Sequence, residues 1–227
     1  MKKKLGILGG MGPQATADLF QKIIDKTNAA RDAEHLRIFI DNNPQIPDRI
    51  AAVLEGKGDV QGAMQKSLQV LENCGADVIV VPCVTAHYFL PQLKSSALVL
   101  DMLDVITDVC NTRFYGKTAG ILSSTATAQC GLVTNRLAAG GGIKYLSPLM
   151  HHQEKLGHII LQVKAKKAEE TLPCFKEILR EMQGRGADFF ILACSELPII
   201  AQFIENEYNF LNVTDELAAT AIHACEK

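Results

Sequence analysis

Apolar and polar positions alternate along the chain in the pattern of an α/β protein. Short apolar runs bounded by glycine and polar residues predict buried strands, because strands of a parallel sheet are covered on both faces. Longer stretches carry apolar residues at helical spacing. The predicted strands lie at residues 4–9, 36–40, 77–81, 97–100, around 120–122, and at 143–146, 188–193 and 210–213. Helices are predicted at about residues 13–30, 59–73, 88–93, 101–111, 165–183 and 214–225.

The second half of the chain repeats the pattern of the first. Gly-Ile-Leu occurs at 6–8 and again at 120–122, and Gly-Ala-Asp occurs at 75–77 and again at 186–188. Because the two pairs are separated by nearly equal offsets, they indicate an internal duplication. The sequence therefore predicts two similar α/β domains with four strands each, related by a pseudo-two-fold axis.

Two of the predicted strands are followed by a cysteine. Both copies read Gly-Ala-Asp, five further residues, and then Cys83 or Cys194. The carboxyl ends of parallel strands are where open α/β sheets bind ligands, so we expect these two thiols to form one site. The other five cysteines fall inside helical or strand patterns without C-x-x-C spacing, which predicts reduced, packing thiols.

Paired thiols favour proton-transfer chemistry. If the strand ends of the two halves face each other, Cys83 and Cys194 lie on opposite sides of an interdomain cleft. One could then remove a proton from carbon as a thiolate while the other returns a proton from the opposite face as a thiol, giving racemisation or epimerisation. The alternative is a single cysteine nucleophile assisted by a histidine such as His87, but one nucleophile would not explain the duplication.

Other polar residues lie at matching points of the two halves. The glycine-rich turn at 9–13 offers a helix N-terminus to a carboxylate, and its G-x-x-G spacing departs from the dinucleotide fingerprint, so no nicotinamide or flavin is expected. Hydroxyl residues at 123–127 replace these glycines in the second copy. Arg49 and Lys164 lie at similar sequence distances after the Gly-Ile-Leu of their own half, although each could also be a surface charge. Adjacent His151 and His152 point apart on a helix, so no metal is expected.

Composition excludes several classes of function. The chain has 48% hydrophobic and 21% charged residues with a formal net charge of −2, which provides no basic field for nucleic acid. No run reaches the roughly 20 apolar residues of a membrane helix. The apolar stretch behind the first lysines is too short for a signal peptide, so we expect a cytoplasmic protein.

Four motifs resemble the aspartate/glutamate racemases that work without pyridoxal phosphate. They are Gly-Gly-Met-Gly-Pro at 9–13, Asn-Asn-Pro-Gln-Ile-Pro-Asp-Arg at 42–49, Pro-Cys-x-Thr-Ala-His at 82–87 and Ala-Cys-Ser-Glu at 193–196. The resemblance implies four-stranded, mostly parallel sheets in two domains, residues 1–100 plus 211–227 and residues 101–210, with the active site in the cleft between them. It also implies a homodimer, a dicarboxylic amino acid as substrate and no cofactor.

The resemblance also assigns roles to individual residues. Cys83 and Cys194 would be the acid/base pair, and Arg49 and Lys164 would bind the substrate's side-chain carboxylate. The α-carboxylate would be held by a set of hydroxyl and backbone groups at Met11, Gly12, Thr85, Thr125 and Ser195. His87 and Glu196 would tune and orient the thiols.

One residue departs from the family pattern. Where the family reads Pro-Cys-Asn-Thr, this chain has Val84, so a side-chain amide that contacts the substrate is replaced by a hydrocarbon. Such a loss can cost about 1–3 kcal/mol of transition-state binding. The alternatives are therefore a related decarboxylase or cis–trans isomerase, or a weakened dicarboxylate-binding protein. The sequence leaves open the choice between aspartate and glutamate, and which thiol serves which enantiomer.

Overall fold

The computed structural model describes residues 2–227 and contains two four-stranded sheets in which every strand pair is parallel. The α/β fold predicted from the sequence is confirmed. The strands are β1 Leu5–Gly9, β2 Ile38–Asn42, β3 Val78–Val80, β4 Leu98–Val99, β5 Thr118–Ser123, β6 Lys144–Leu146, β7 Phe189–Ala193 and β8 Phe210–Asn212.

α-Helices connect most of these strands, whereas 3₁₀ turns connect β3 to β4. The α-helices are α1 Pro13–Lys26, α2 Arg49–Glu55, α3 Val60–Asn73, α4 Met102–Arg113, α5 Thr125–Gln129, α6 Leu132–Gly140, α7 Met150–Lys164, α8 Leu172–Gly184, α9 Leu197–Ala201 and α10 Val213–Glu226. Short 3₁₀ turns lie at Asp32–Glu34, Val84–Tyr88, Leu90–Gln92, Glu169–Thr171 and Gln202–Ile204.

The chain divides into two compact units, each built on one sheet. Unit 1 runs to Val105 and resumes at Thr214–Lys227, whereas unit 2 is the continuous stretch Ile106–Val213. These limits fall a few residues after the boundaries expected at 100/101 and 210/211. The strand orders are β2-β1-β3-β4 and β6-β5-β7-β8, so the strand that precedes each candidate cysteine occupies the same place in its sheet.

The repeated Gly-Ala-Asp motif makes the same contacts in both units. Gly75 and Gly186 follow the ends of α3 and α8 with positive φ angles of 85° and 99°, a conformation that glycine adopts without steric cost. Asp77 and Asp188 each accept a hydrogen bond from a backbone N–H at the beginning of the neighbouring central strand, at 2.8 and 2.7 Å. The motif thus ends a helix and ties the following strand to its sheet.

Several predicted helices end or begin elsewhere. The first helix was expected to reach residue 30 but ends at Lys26, because Thr27 donates its hydroxyl back to the Ile23 carbonyl at 2.7 Å and leaves helical geometry. The prediction of a helix at 88–93 was wrong, since two 3₁₀ turns occupy this region. The helix expected from 165 begins at Leu172. Helices α2, α5, α6 and α9 were not predicted, and α7 was expected only as a helix that carries His151 and His152.

A separate apolar core lies in each unit. Cys83 belongs to the core of unit 1 with residues such as Met64 and Ile79, and Cys194 belongs to that of unit 2 with residues such as Phe175 and Leu192. Both cysteines therefore pack against apolar side chains. Among residues 2–227, no helix is long and apolar enough to cross a membrane.

Candidate active site

Cys83 lies directly beyond a buried strand of unit 1. The β-branched run at 78–81 favours a strand, and Pro82 ends it because proline cannot donate to a ladder. Cys83 is 8% exposed and has an extended backbone, with φ −152°. Its carbonyl accepts the Ala86 N–H at 3.1 Å, which closes the 3₁₀ turn Val84–Tyr88. The thiol is thus held at the carboxyl end of β3, as the sequence predicted for its strand.

The first four residues of the turn after Cys83 are buried. Val84 is 1%, Thr85 7% and His87 3% exposed. The His87 ring contacts the Cys83 carbonyl through Nδ1 at 2.9 Å, and its Nε2 receives the Met102 N–H at 3.0 Å. The side chain that was expected to orient a thiol therefore holds the main chain of Cys83.

Arg49 is the first residue of α2, which packs against this turn. Its Nη1 donates to the carbonyls of Ile46 and Pro47 at 3.1 and 2.9 Å. Asp48 caps α2 by accepting the Ala51 N–H at 2.8 Å. The Nε–H of Arg49 is buried and has no hydrogen-bond partner within residues 2–227. A buried, unpaired donor is costly, so this guanidinium edge is suited to an anion.

Met11 and Gly12 lie in the turn between β1 and α1. Met11 is 2% exposed, and Gly12 occupies the N-cap of α1 without a side-chain cap. Gly10 has φ 90° and its Cα faces the Asn43 backbone, so this turn requires glycine. The Gly10 N–H donates to Thr16 Oγ1 at 2.9 Å. These contacts hold in place the turn whose backbone N–H groups directly precede α1.

Cys194, Ser195 and Glu196 form the corresponding cluster of unit 2. Cys194 follows β7, is 8% exposed, and donates its S–H to Glu196 Oε2 at 3.0 Å. The Ser195 hydroxyl donates to the same oxygen at 3.4 Å. Lys164, at the end of α7, places Nζ 3.7 Å from Glu196 Oε1. The structure thus brings four predicted site residues of this unit into direct contact.

Burial raises the pKa of the Cys194 thiol well above its ordinary value of 9.0. The Glu196 carboxylate raises it further, by its charge and by accepting the S–H, while the Lys164 ammonium lowers it. The raised pKa favours the protonated thiol, and the S–H of Cys194 is directed at a carboxylate oxygen. Such a group can donate a proton.

Thr125 begins α5, beside the end of β5. Ser124 caps α5 by accepting the Thr127 N–H at 3.3 Å. Gln153 of α7 donates from Nε2 to the Ser123 carbonyl at 2.9 Å, and Ser123 is paired with Ala193 in the sheet, next to Cys194. Gln153 was not among the predicted site residues, because a contact between residues so far apart in the chain has no local signal in the sequence.

The adjacent histidines lie in α7. His151 is exposed, whereas His152 is 4% exposed and has its ring nitrogens 3.5 Å from carboxylate oxygens of Glu177 and Glu181. In the part of the chain that the structure describes, no group of three or more histidine, cysteine or acidic residues could hold a metal ion.

The predicted residues therefore gather in two groups. One group, in unit 1, surrounds the ends of β1 and β3 and consists of Met11, Gly12, Arg49, Cys83, Val84, Thr85 and His87. The other, in unit 2, surrounds the ends of β5 and β7 and consists of Thr125, Lys164, Cys194, Ser195 and Glu196. That both groups bind one substrate stays a prediction.

Comparison with known proteins gives a consistent family. The family model described as Asp/Glu/hydantoin racemase matches residues 8–224. The chain is 26% identical over 226 residues to the broad specificity amino-acid racemase RacX of Bacillus subtilis (strain 168), covering 96% of each protein. It superposes on the Picrophilus torridus aspartate racemase with a TM-score of 0.90 and 28% identity, covering 99% of this chain and 95% of that one. An aspartate racemase homologue from Pyrococcus horikoshii OT3 shares the fold, with a TM-score of 0.80, 18% identity and coverage of 99% and 100%.

Proposed function

Because the chain belongs to the Asp/Glu/hydantoin racemase family, we propose that it is a cofactor-independent amino-acid racemase that interconverts the L and D forms of aspartate or glutamate. The observation that carries this proposal is the equivalent placement of two cysteines. Cys83 follows the third strand along one sheet and Cys194 follows the third strand along the other, and both are 8% exposed. A cytoplasmic location and a homodimeric assembly belong to the same proposal.

In the proposed mechanism each thiol acts on one face of the substrate's Cα. The Cys83 thiolate takes the Cα proton, and the electron pair left on carbon is delocalised into the α-carboxylate. The Cys194 thiol then donates its proton to the opposite face of carbon. Cys83 ends as a thiol and Cys194 as a thiolate, and the reverse reaction exchanges these roles. The hydrogen bond from Cys194 to Glu196 supports its assignment as the initial acid.

Substrate binding relies on anion recognition. We assign Arg49 and Lys164 to the side-chain carboxylate, and the unpaired Nε–H of Arg49 supports this assignment. The α-carboxylate is assigned to hydroxyl and backbone donors at Met11, Gly12, Thr85, Thr125 and Ser195. With two cations assigned to one carboxylate and neutral donors to the other, a small diacid is the class of substrate that this assignment favours.

Val84 suggests relaxed selectivity toward the substrate. Its buried hydrocarbon replaces an amide that the family motif would place beside the substrate, so one polar contact is removed. A similar protein from Bacillus subtilis is named as a broad specificity amino-acid racemase, which is consistent with a wider range of substrates. We therefore expect measurable activity on both aspartate and glutamate.

The test is deuterium incorporation at Cα in heavy water, without added cofactor, on L- and D-aspartate and L- and D-glutamate. Cys83→Ser and Cys194→Ser should each lower interconversion by at least about 100-fold, since general acid–base catalysis contributes about 10² to 10⁴. Cys110→Ala, which removes a fully buried thiol outside the site, serves as the control. Full activity of Cys194→Ser would rule out the two-base mechanism.

Two other outcomes would support different functions. Aspartate binding measured by calorimetry without Cα exchange would indicate a dicarboxylate-binding protein. Consumption of an arylmalonate or maleate without racemisation would indicate a decarboxylase or a cis–trans isomerase. Restoring the family amide with Val84→Asn in the same assays shows whether this position narrows the substrate range.

A further inference from the structure

His87 connects the Cys83 loop to the beginning of α4. The imidazole is 3% exposed and both of its nitrogens are engaged, Nδ1 with the Cys83 carbonyl at 2.9 Å and Nε2 with the Met102 N–H at 3.0 Å. Met102 is the first residue of α4 and is fully buried. The His87 side chain thus links Cys83, a candidate catalytic residue, to the first turn of α4, which begins 15 residues after His87.

These two contacts determine the protonation form of the ring. The backbone N–H of Met102 can only donate, so Nε2 must accept with its lone pair. The Cys83 carbonyl can only accept, so Nδ1 must carry the proton. The ring is therefore neutral, in the Nδ1–H form, while both hydrogen bonds are present.

The contacts also fix the peptide group that follows the thiol. The Cys83 carbonyl accepts two N–H groups, one from Ala86 in its own turn and one from the His87 ring. The helix N-terminus at Met102 leaves a backbone donor that lacks an intrahelical partner, and His87 satisfies it. The chain passes from unit 1 to unit 2 within this helix, between Val105 and Ile106.

We propose that His87 is a positioning residue that holds the backbone of Cys83 against the first turn of α4 through a neutral Nδ1–H imidazole. This inference rests on the proposed function only in taking Cys83 as an acid/base group. His87 transfers no proton in it. Its contribution is to keep the Cys83 thiol at a constant position, to which proton transfer is sensitive.

The two hydrogen bonds can be separated by substitution. A glutamine amide can place an acceptor near the Nε2 position but leaves the Cys83 carbonyl without its donor. An asparagine amide can place a donor near the Nδ1 position but leaves Met102 without its acceptor. We expect His87→Gln to lower kcat by about 10- to 100-fold with KM changed less than about threefold. We expect His87→Asn to have a kcat at least about fivefold above that of His87→Gln and a lower Tm than wild type.

The matched control is His152→Asn, which removes a histidine of similar burial, 4% exposed, from unit 2. It should lower Tm without the loss of kcat seen in His87→Gln. Equal kcat losses in His87→Gln and His87→Asn, or an equal loss in His152→Asn, would overturn the positioning role.

Two measurements do not depend on racemase activity. Nitrogen-15 spectra of the 227-residue chain labelled in histidine should show the His87 proton on Nδ1, with the signal assigned by its loss in His87→Asn. The rate at which iodoacetamide alkylates Cys83, measured by mass spectrometry, should differ at least about threefold between His87→Gln and wild type. The rate for Cys194 should be unchanged. A proton on Nε2, or equal changes at both cysteines, would refute the inference even if the enzyme proved to be a racemase. If no racemisation is found, these two results still decide it.

Discussion

The two buried cysteines have different polar surroundings. Cys83 is fixed through its main chain by His87, whereas Cys194 is bound through its sulfur to Glu196. The Glu196 partner lies two residues from its cysteine and could be predicted from the sequence. Met102 could not, because a backbone donor carries no residue-type signal. The sequence therefore predicts both thiols as the reactive groups, and the structure adds the contacts that surround each one.

Glu196→Gln is the test of the carboxylate beside Cys194. Burial would still raise the thiol pKa, but the charge of the carboxylate would be gone, so the pKa should fall from its wild-type value. Alkylation of Cys194 would then begin at lower pH, measured by mass spectrometry across a pH series. Interconversion should fall about tenfold, since the acid is less well oriented.

Glu205→Gln removes an exposed carboxylate of the same unit and serves as the matched control. It should leave the pH profile of Cys194 alkylation unchanged. An upward shift of that profile in Glu196→Gln would contradict the arrangement described for Cys194.

At the scale of elements, the hydrophobic pattern predicted the strands well and some helix ends poorly. The buried strands are continuous apolar runs, which have a clear signal. The helix predicted from residue 165 begins only at Leu172, because Lys166 adopts the left-handed conformation, with φ 62°, and the sequence has no glycine there to signal it. Helix α2 was missed because its residues follow two prolines in a polar stretch that is typical of a loop.

Gly10→Ala tests the turn between β1 and α1. Gly10 has φ 90°, and a Cβ there would overlap the Asn43 backbone, so we expect a loss of at least about 3 kcal/mol in the free energy of unfolding. Gly56→Ala is the matched control, because Gly56 also has a positive φ, 67°, but no heavy atom lies within 4 Å of its added Cβ. It should cost about 1 kcal/mol. Equal losses in urea denaturation would show that close packing is unimportant in this turn.

At the scale of the whole molecule, unit 1 depends on a helix from the end of the described chain. Leu217, Ala218 and Ala221 of α10 are fully buried, and Lys22 of α1 donates to the Thr214 hydroxyl at 2.7 Å. The return of this helix to the first domain was expected from family resemblance. Hydrophobic spacing alone could not assign α10 to either sheet, because it shows which face is buried and not what covers it.

Substitutions at two leucines near the end of the chain should affect different units. Leu217→Ala in α10 and Leu211→Ala in β8 remove side chains that are 0% and 1% exposed, and each should cost about 2–5 kcal/mol. Hydrogen exchange should show faster exchange mainly in β1 to β4 for Leu217→Ala and mainly in β5 to β8 for Leu211→Ala. Equal acceleration in both sheets for either variant would mean that the two units unfold together.

The division of the chain also affects the order in which the two units can fold during synthesis. Unit 2 is one unbroken stretch from Ile106 to Val213, so all of its residues are synthesised before the part of α10 that belongs to unit 1, from Thr214 onward. The sheet of unit 1 is synthesised earlier, but unit 1 is incomplete until α10 is available. Until then the surface that α10 covers is exposed to solvent. During translation the later half of the protein can therefore reach its native state before the earlier half, a reversal of the usual N-to-C order of domain folding.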